Sequence, residues 1–405
     1  MHEAVPTIAP RLSVGMLTPS FPVPGYPASG VFVQRLAEEI GRRCSLEVHC
    51  PLPDSCDGLP PARHYRLQGW IFAPRAWRTV VHSPGGLPQS MRNLGIRSVV
   101  PLVGLVVTMF LVAWRLAGRS DVVHANWSLA GAIAGLVCKL RGRPLVTTLR
   151  GDDVNGSGGA LSRGLLRCCL ALSDRVVVVS QAMATQLSRE YPSKAAAISF
   201  IANGVALQAA PPEPHEGRPL RLLVLGSLIE RKDVATVLQA LSRVQLKPAP
   251  ELCIVGDGPL RGELQALASR LGLQGRVRFF GMVAPDAIWL HLAWCDVMVL
   301  ASRSEGRPNV VLEAMACARP VLASDIAGTR ELIGTSRGWL FPPGDFGALA
   351  ELINRVGTDP KDRLDTGQRA RDWLDAKGLS WAASADEYMR VYRTVLDQRA
   401  RPCAA

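Results

Sequence analysis

The run Cys295-Asp-Val-Met-Val-Leu-Ala-Ser-Arg-Ser-Glu305-Gly-Arg-Pro-Asn-Val-Val-Leu-Glu313-Ala-Met-Ala-Cys-Ala-Arg-Pro320-Val-Leu-Ala-Ser324 constrains the fold more than any other. Val297 to Leu300 is a short apolar run, rich in β-branched residues, of the kind that forms a strand buried on both faces. Gly306 ends it, and Pro308 falls where a following helix takes its first residue, a position that needs no N–H. The backbone N–H groups of Asn309, Val310 and Val311 are then donors at the positive end of a helix, an arrangement suited to phosphate. Ala314, Ala316, Cys317 and Ala318 are small enough to let that helix lie close on a sheet, and Pro320 leads into a second buried run, Val321 to Ala323. Strand, loop, helix, strand is the grammar of an α/β domain built on a parallel sheet.

Two carboxylates frame the anion site, Glu305 in the loop and Glu313 about a turn and a half into the helix. Taken alone, such a pair is most simply two solvated acids. In this setting it resembles the Glu-x7-Glu element of retaining glycosyltransferases with two Rossmann-like domains, and the chain as a whole is similar to glycosyltransferase family 4. The resemblance implies a GT-B fold, two facing Rossmann-like domains with parallel sheets and an interdomain cleft. It also implies a nucleotide-sugar donor (UDP, GDP or ADP), with Glu305 on sugar hydroxyls, Glu313 on the ribose hydroxyls, and Arg307, Asn309, Val310 and Val311 at the donor. The chemistry agrees, because a carboxylate accepts two hydrogen bonds from a vicinal diol and charge-assisted bonds are the strong kind.

At 405 residues the chain has room for two or three domains, and with 48% apolar and 20% charged residues it is globular. Its start shows no basic segment followed by an apolar run, so no signal peptide is expected and the catalytic machinery should face the cytoplasm. Ten cysteines occur without Cys-x-x-Cys pairs or histidines at zinc spacing, which argues against a metal site and a disulfide framework. No Asp-x-Asp occurs, so neither a metal nor another cofactor is expected. Of the net charge of +12, residues 1 to 210 carry a surplus of 10, from 21 Lys and Arg against 11 Asp and Glu. Gly58 to Ser120 holds eight arginines and no acid, so something anionic is expected on that face.

Taken in order, Leu12 to Thr18 predicts a first strand, and a proline-rich loop leads to Gly30 and a helix with Phe32, Leu36 and Ile40 on one face. The matching family loop closes over the donor pyrophosphate, so by the resemblance Gly30 is a candidate donor contact, the plain alternative being an ordinary helix entry. Arg63, Arg66, Arg75, Arg78, Arg92 and Arg97 are interleaved with Tyr65, Trp70, Phe72 and Trp77, a composition suited to single-stranded nucleic acid or to anionic lipid head groups. With a sugar-nucleotide site in the other half, peripheral contact with an anionic membrane surface bearing a lipid-linked saccharide acceptor is the better reading, on the inner face of the plasma membrane, with no nucleic acid. The uncharged run at 98–114 is 17 residues long, at the lower edge of a span, and reads as a buried or interfacial helix.

Val122 to Trp127 and Leu145 to Arg150 are strands with polar ends, where α/β sheets bind ligands. Family 4 commonly has His-Gly-x-Asp after the second of these, and this chain has Arg150-Gly-Asp152-Asp153. An arginine forks onto phosphate or carboxylate and is no base, so the histidine's role is unfilled unless His124 reaches in. The substitution resembles the subgroup around teichuronic-acid and related cell-envelope and exopolysaccharide transferases. Asp152 and Asp153 either orient an acceptor hydroxyl or cap the next segment. Asn203-Gly204 is a turn before a proline-dense linker at 206–219, which divides an acceptor domain, 1–210, from a donor domain, 211–380. The tail from about 381 to 405 has apolar residues at helical intervals and, by the resemblance, crosses back to the first domain.

The second half opens with a strand ending at Gly226, then Arg231 and Lys232. By the resemblance these two cations stand at the donor diphosphate, stabilising the charge that develops on the leaving nucleotide. Its glycines fit neither a dinucleotide fingerprint nor a triphosphate loop. Val277 to Gly281 matches the family strand whose end meets the nucleobase, so Gly281 is a donor contact. The sequence thus points to a retaining, metal-independent hexosyltransferase with Glu305, Arg231, Lys232, His124, Arg150 and Asp152 at the reacting centre. A non-catalytic sugar-nucleotide binder and an epimerase or phosphorylase on the same fold are the rival readings.

Overall fold

The computed structural model describes residues 11–59, 61–78, 81, 99–154, 159–208 and 217–400. In the first half the apolar runs become β1 Ser13–Leu17, β2 Ser45–Pro51, β3 Arg66–Trp70, β4 Val122–Asn126, β5 Leu145–Leu149, β6 Arg175–Val178 and β7 Ile198–Phe200. They pair in parallel in the order β3-β2-β1-β4-β5-β6-β7. In the second half β8 Arg221–Leu225, β9 Glu251–Val255, β10 Val277–Gly281, β11 Val297–Leu300, β12 Val321–Ser324 and β13 Trp339–Phe341 pair likewise, in the order β10-β9-β8-β11-β12-β13. β11 and β12 are buried at every residue, because helices cover both faces of a parallel sheet, and this is why their sequences do not alternate.

Each sheet starts in its middle and reverses once, between β1 and β4 and between β8 and β11. Strand carboxyl ends beside such a reversal border a crevice. Asn126 ends β4, with His124 in the middle of that strand, Arg150 follows β5, Gly226 follows β8 and the Glu305 loop follows β11. The two units are Rossmann-like and face each other, with side chains meeting across the gap. The expected domain boundary at 210/211 lies outside the described residues, as do Arg92 and Arg97.

The uncharged run falls largely in the helix Val99–Arg119. Leu105, Met109, Ala113, Leu116 and Ala117 pack on the first sheet. Gly104 lets the chain at Phe72 come close, since a Cβ there would stand 2.1 Å from the Phe72 carbonyl oxygen. Val99, Val103, Val107, Leu111 and Trp114 face outward and are exposed. The helix is long and apolar enough to cross a membrane by length and composition, yet one side of it rests on protein.

The helix Trp381–Ala400 follows the second sheet in sequence but packs against the helix Val31–Arg43 of the first unit. Tyr388, Met389, Tyr392 and Val395 are buried in the first unit's core, and each such side chain contributes roughly 1.5–3 kcal/mol. Where this helix begins, the Asn203–Gly204 turn presses on it. A Cβ on Gly204 would lie 2.1 Å from the Trp381 nitrogen, and Val205 donates to the Leu379 carbonyl at 3.0 Å.

Candidate active site

The loop after β11 delivers its groups to the helix Asn309–Ala316. Pro308 stands at the N-cap and not at the first helical position, and its carbonyl takes the Val311 N–H at 3.1 Å. Of the three expected donors, Asn309 and Val310 therefore keep N–H groups without an acceptor among the described residues, while Val311 has spent its own. Such donors, with the helix dipole behind them, favour an anion.

Glu305 is buried in that loop. Lys232 Nζ donates to Glu305 Oε1 at 2.5 Å, and Arg231 Nη1 lies 3.6 Å from Oε2 while donating to the Ser304 carbonyl at 3.1 Å. Burial opposes ionisation of this carboxyl, but the two cations together outweigh it, and Glu305 titrates below its ordinary value. Gly226, at φ 144, lies under the Lys232 stem, where a Cβ would stand 3.5 Å from Cε. Glu313 is buried too, and Arg35 Nη1 of the first unit donates to its Oε1 at 2.9 Å. Here burial prevails over the arginine, and Glu313 titrates above its ordinary value.

The first unit supplies the facing wall. Asp152 is exposed, and its Oδ1 lies 3.4 Å from Arg231 Nη2 across the cleft. Its neighbour Asp153 turns inward, accepting from the backbone N–H of Ser128 at 2.8 Å and of Arg150 at 2.9 Å. The two readings of this acid pair thus divide: Asp153 caps, and Asp152 meets the cleft. Gly151 touches the other unit directly, since a Cβ on it would come 2.5 Å from the Gly306 nitrogen.

His124 does not reach in. It is fully buried, its Nε2 paired with Thr148 Oγ1 at 2.8 Å and its Nδ1 with the Tyr392 hydroxyl at 2.7 Å. Burial, helped by the charge of Arg150, pulls its imidazole down to about 3. It is a neutral strut between β4, β5 and the returning helix, and the expectation of a catalytic His124 is corrected by those two hydrogen bonds. Arg150 is buried beside it, 3.9 Å from the Phe32 ring and 5.5 Å from that of Trp127, with Nη2 donating to Asn126 Oδ1 at 3.4 Å. Arg307, buried, pairs with Glu331, whose other oxygen takes the Gln181 N–H at 3.0 Å. Gly30, at φ 63, starts the helix Val31–Arg43 against the Ser20 backbone, and Gly281, at φ 76, ends β10 beside Arg261.

The site also contains residues the sequence reading passed over. Arg35 sits on the outer face of an ordinary amphipathic helix, and only the fold brings it to Glu313. Asn126 was legible as a polar end of a buried strand. Gly328, whose Cβ would stand 2.6 Å from the Glu305 carbonyl oxygen, follows the central run closely enough that its spacing could have flagged a close approach.

Residues 29–209 match the family described as Glycosyltransferase Family 4, and residues 208–373 match Glycosyl transferases group 1. The putative teichuronic acid biosynthesis glycosyltransferase TuaC of Bacillus subtilis is 30% identical over 68% of this chain and 72% of its own length. The chain belongs to glycosyltransferase family 4. This transferase is also 26% identical to the alpha-maltose-1-phosphate synthase of Mycolicibacterium smegmatis, over 95% of its own chain and 100% of that one. The crystal structure of Anabaena HepE in complex with UDP-glucose has the same fold, with a TM-score of 0.73 at 20% identity, covering 94% of this chain and 100% of that one. The transferase is a hexosyltransferase of the GT-B fold that draws on a nucleotide-sugar donor.

Proposed function

We propose that this transferase moves a hexose with retention, without a metal, from a uridine diphosphate sugar to a lipid-linked or polysaccharide acceptor in cell-envelope glycan synthesis. The observation that carries the reading is the cluster at the start of the helix Asn309–Ala316, where Glu305, Lys232 and Arg231 meet two open backbone donors. Lys232 and Arg231 take the leaving diphosphate, and Glu305, released from them, holds the sugar hydroxyls. Charge that develops on the departing nucleotide is met by cations already in place, with little reorganisation at the moment of reaction. Glu313 takes the ribose hydroxyls, and Asp152 lies where an acceptor hydroxyl would enter. The uridine nucleotide is favoured by the HepE complex, and the envelope role by the relative named for teichuronic acid.

Attachment is peripheral, on an anionic membrane surface at the cytoplasmic side. The exposed stripe Val99, Val103, Val107, Leu111 and Trp114 is flanked by exposed Arg115, Arg119 and Arg141, the last 4.2 Å from the Trp114 ring. Apolar side chains beside arginines suit the boundary between acyl chains and anionic head groups. The reading is tested at its centre by Glu305→Gln, which should lower kcat by about 10²–10³-fold, the scale of losing one group aimed at the reacting centre. Circular dichroism should be unchanged, and a near-normal rate would remove Glu305 from the site.

A further inference from the structure

At the carboxyl ends of β4 and β5, two buried polar groups lack what their surroundings ordinarily supply. Arg150 is 7% exposed, and its Nε has no hydrogen-bond partner among the described residues. Asn126, fully buried, accepts from Arg150 Nη2 at 3.4 Å, and its own Nδ2 is likewise without a partner. No carboxylate among the described residues pairs with the guanidinium. Asp153, the carboxylate whose charge acts on it, has given its two oxygens to the N–H groups of Ser128 and Arg150. Phe32 and Trp127 lie against the guanidinium and fix its plane without bringing a counter-charge. Trp127 holds its place at φ 68, a backbone conformation that a bulky side chain rarely adopts.

A buried cation without an anion is costly, and a buried donor without an acceptor adds to that cost. One ligand would relieve both. The position is beside the cleft, because the next residue, Gly151, touches Gly306 of the facing unit.

We propose that Arg150 and Asn126 form a subsite for an oxyanion, carboxylate or phosphate, carried by one of the two substrates. An oxyanion there takes a charge-assisted bond from Arg150 Nε and a second from Asn126 Nδ2, which makes the enzyme selective for an acidic sugar or an acidic acceptor. The subsite rests on the transferase reading above. It differs from the diphosphate site, which lies on the other unit at Lys232 and Arg231.

Calorimetric binding to the full chain in two arms tests it. One arm compares UDP-glucuronic acid with UDP-glucose; the other, with UDP present, compares malate and glucose 1-phosphate with glycerol and glucose. At least one acidic compound should bind about 10- to 100-fold tighter than its neutral counterpart, the range of one or two charge-assisted bonds, and the arm in which it does so identifies the carrier. Arg150→Gln and Arg150→His should each cut that ratio to within about threefold. Equal binding of acidic and neutral compounds in both arms by the wild type, which requires no variant to fold, would overturn the subsite, as would a ratio that survives both substitutions. Failure of UDP, GDP and ADP alike to bind would instead overturn the transferase reading beneath it.

Discussion

Glu305 and Glu313 share one loop-and-helix segment, and their surroundings drive their protons in opposite directions. For Glu305 the folded-state value is depressed by Lys232 and Arg231 against the effect of burial. Its contribution to stability is therefore present above the unfolded carboxylate value and lost as pH falls through the depressed one. For Glu313 burial raises the folded-state value over the effect of Arg35. Its ionised form costs stability at neutral pH, and the cost is relieved as pH falls through the raised value. Glu313→Gln should therefore raise the melting midpoint of the ligand-free protein at pH 7 by about 1–3 °C, while nucleotide-sugar binding weakens on the order of tenfold. Scanning calorimetry and titration check the two halves, and a lower midpoint would show that the Arg35 pair outweighs burial. At this scale the sequence was most informative where function is local. Glu305 and Glu313 are held in one short segment, whereas Arg35 reaches Glu313 across 278 positions. The fate of His124 was settled by Tyr392, 268 positions away, and no spacing near a strand end reveals that.

The helix Val99–Arg119 shows what an element's sequence does and does not carry. Its apolar length is plain in the chain, and the glycine at 104 marks a close approach. Which side meets the sheet depends on where β1 and β4 lie, and the stripe left outside emerges only then. Vesicles containing anionic lipid should bind the protein at low ionic strength and release it as salt rises, since screening shortens the reach of Arg115, Arg119 and Arg141. Leu111→Glu should weaken that binding about tenfold or more without moving kcat on a soluble acceptor, because Leu111 faces solvent at 60% exposure. Sedimentation with vesicles of neutral and anionic composition reads both, and equal binding to the two compositions would refute membrane docking through this face. Helix ends were the less legible part. Pro308 reads as a first helical residue, but its carbonyl accepts the Val311 N–H from the N-cap, a shift of one position that changes which amides are open.

For the whole molecule, two parallel sheets were readable from alternating buried runs and helical stretches. The relation between them was not, because it rests on side chains drawn from both halves, among them Arg35, Asp152 and Asn203, whose Nδ2 donates to Asn309 Oδ1 at 2.9 Å. Gly204→Ala tests that relation without touching a donor group. Its methyl has no room beside Ser380 and Trp381, so kcat/KM should fall several-fold while the melting midpoint drops by about 2–6 °C. Steady-state kinetics and calorimetry on the purified variant would check it, and unchanged values for both would mean the turn yields at no cost. The same contact has a mechanical meaning. Among the described residues, the segment leaving the first unit and the segment returning to it lie side by side, joined where Val205 donates to the Leu379 carbonyl, so a turn of one half centred on that contact would stretch neither of them. A substrate that drew the two walls closer would have to displace what already spans the gap, the pairs Arg35–Glu313 and Asp152–Arg231 and the backbone approach of Gly151 to Gly306.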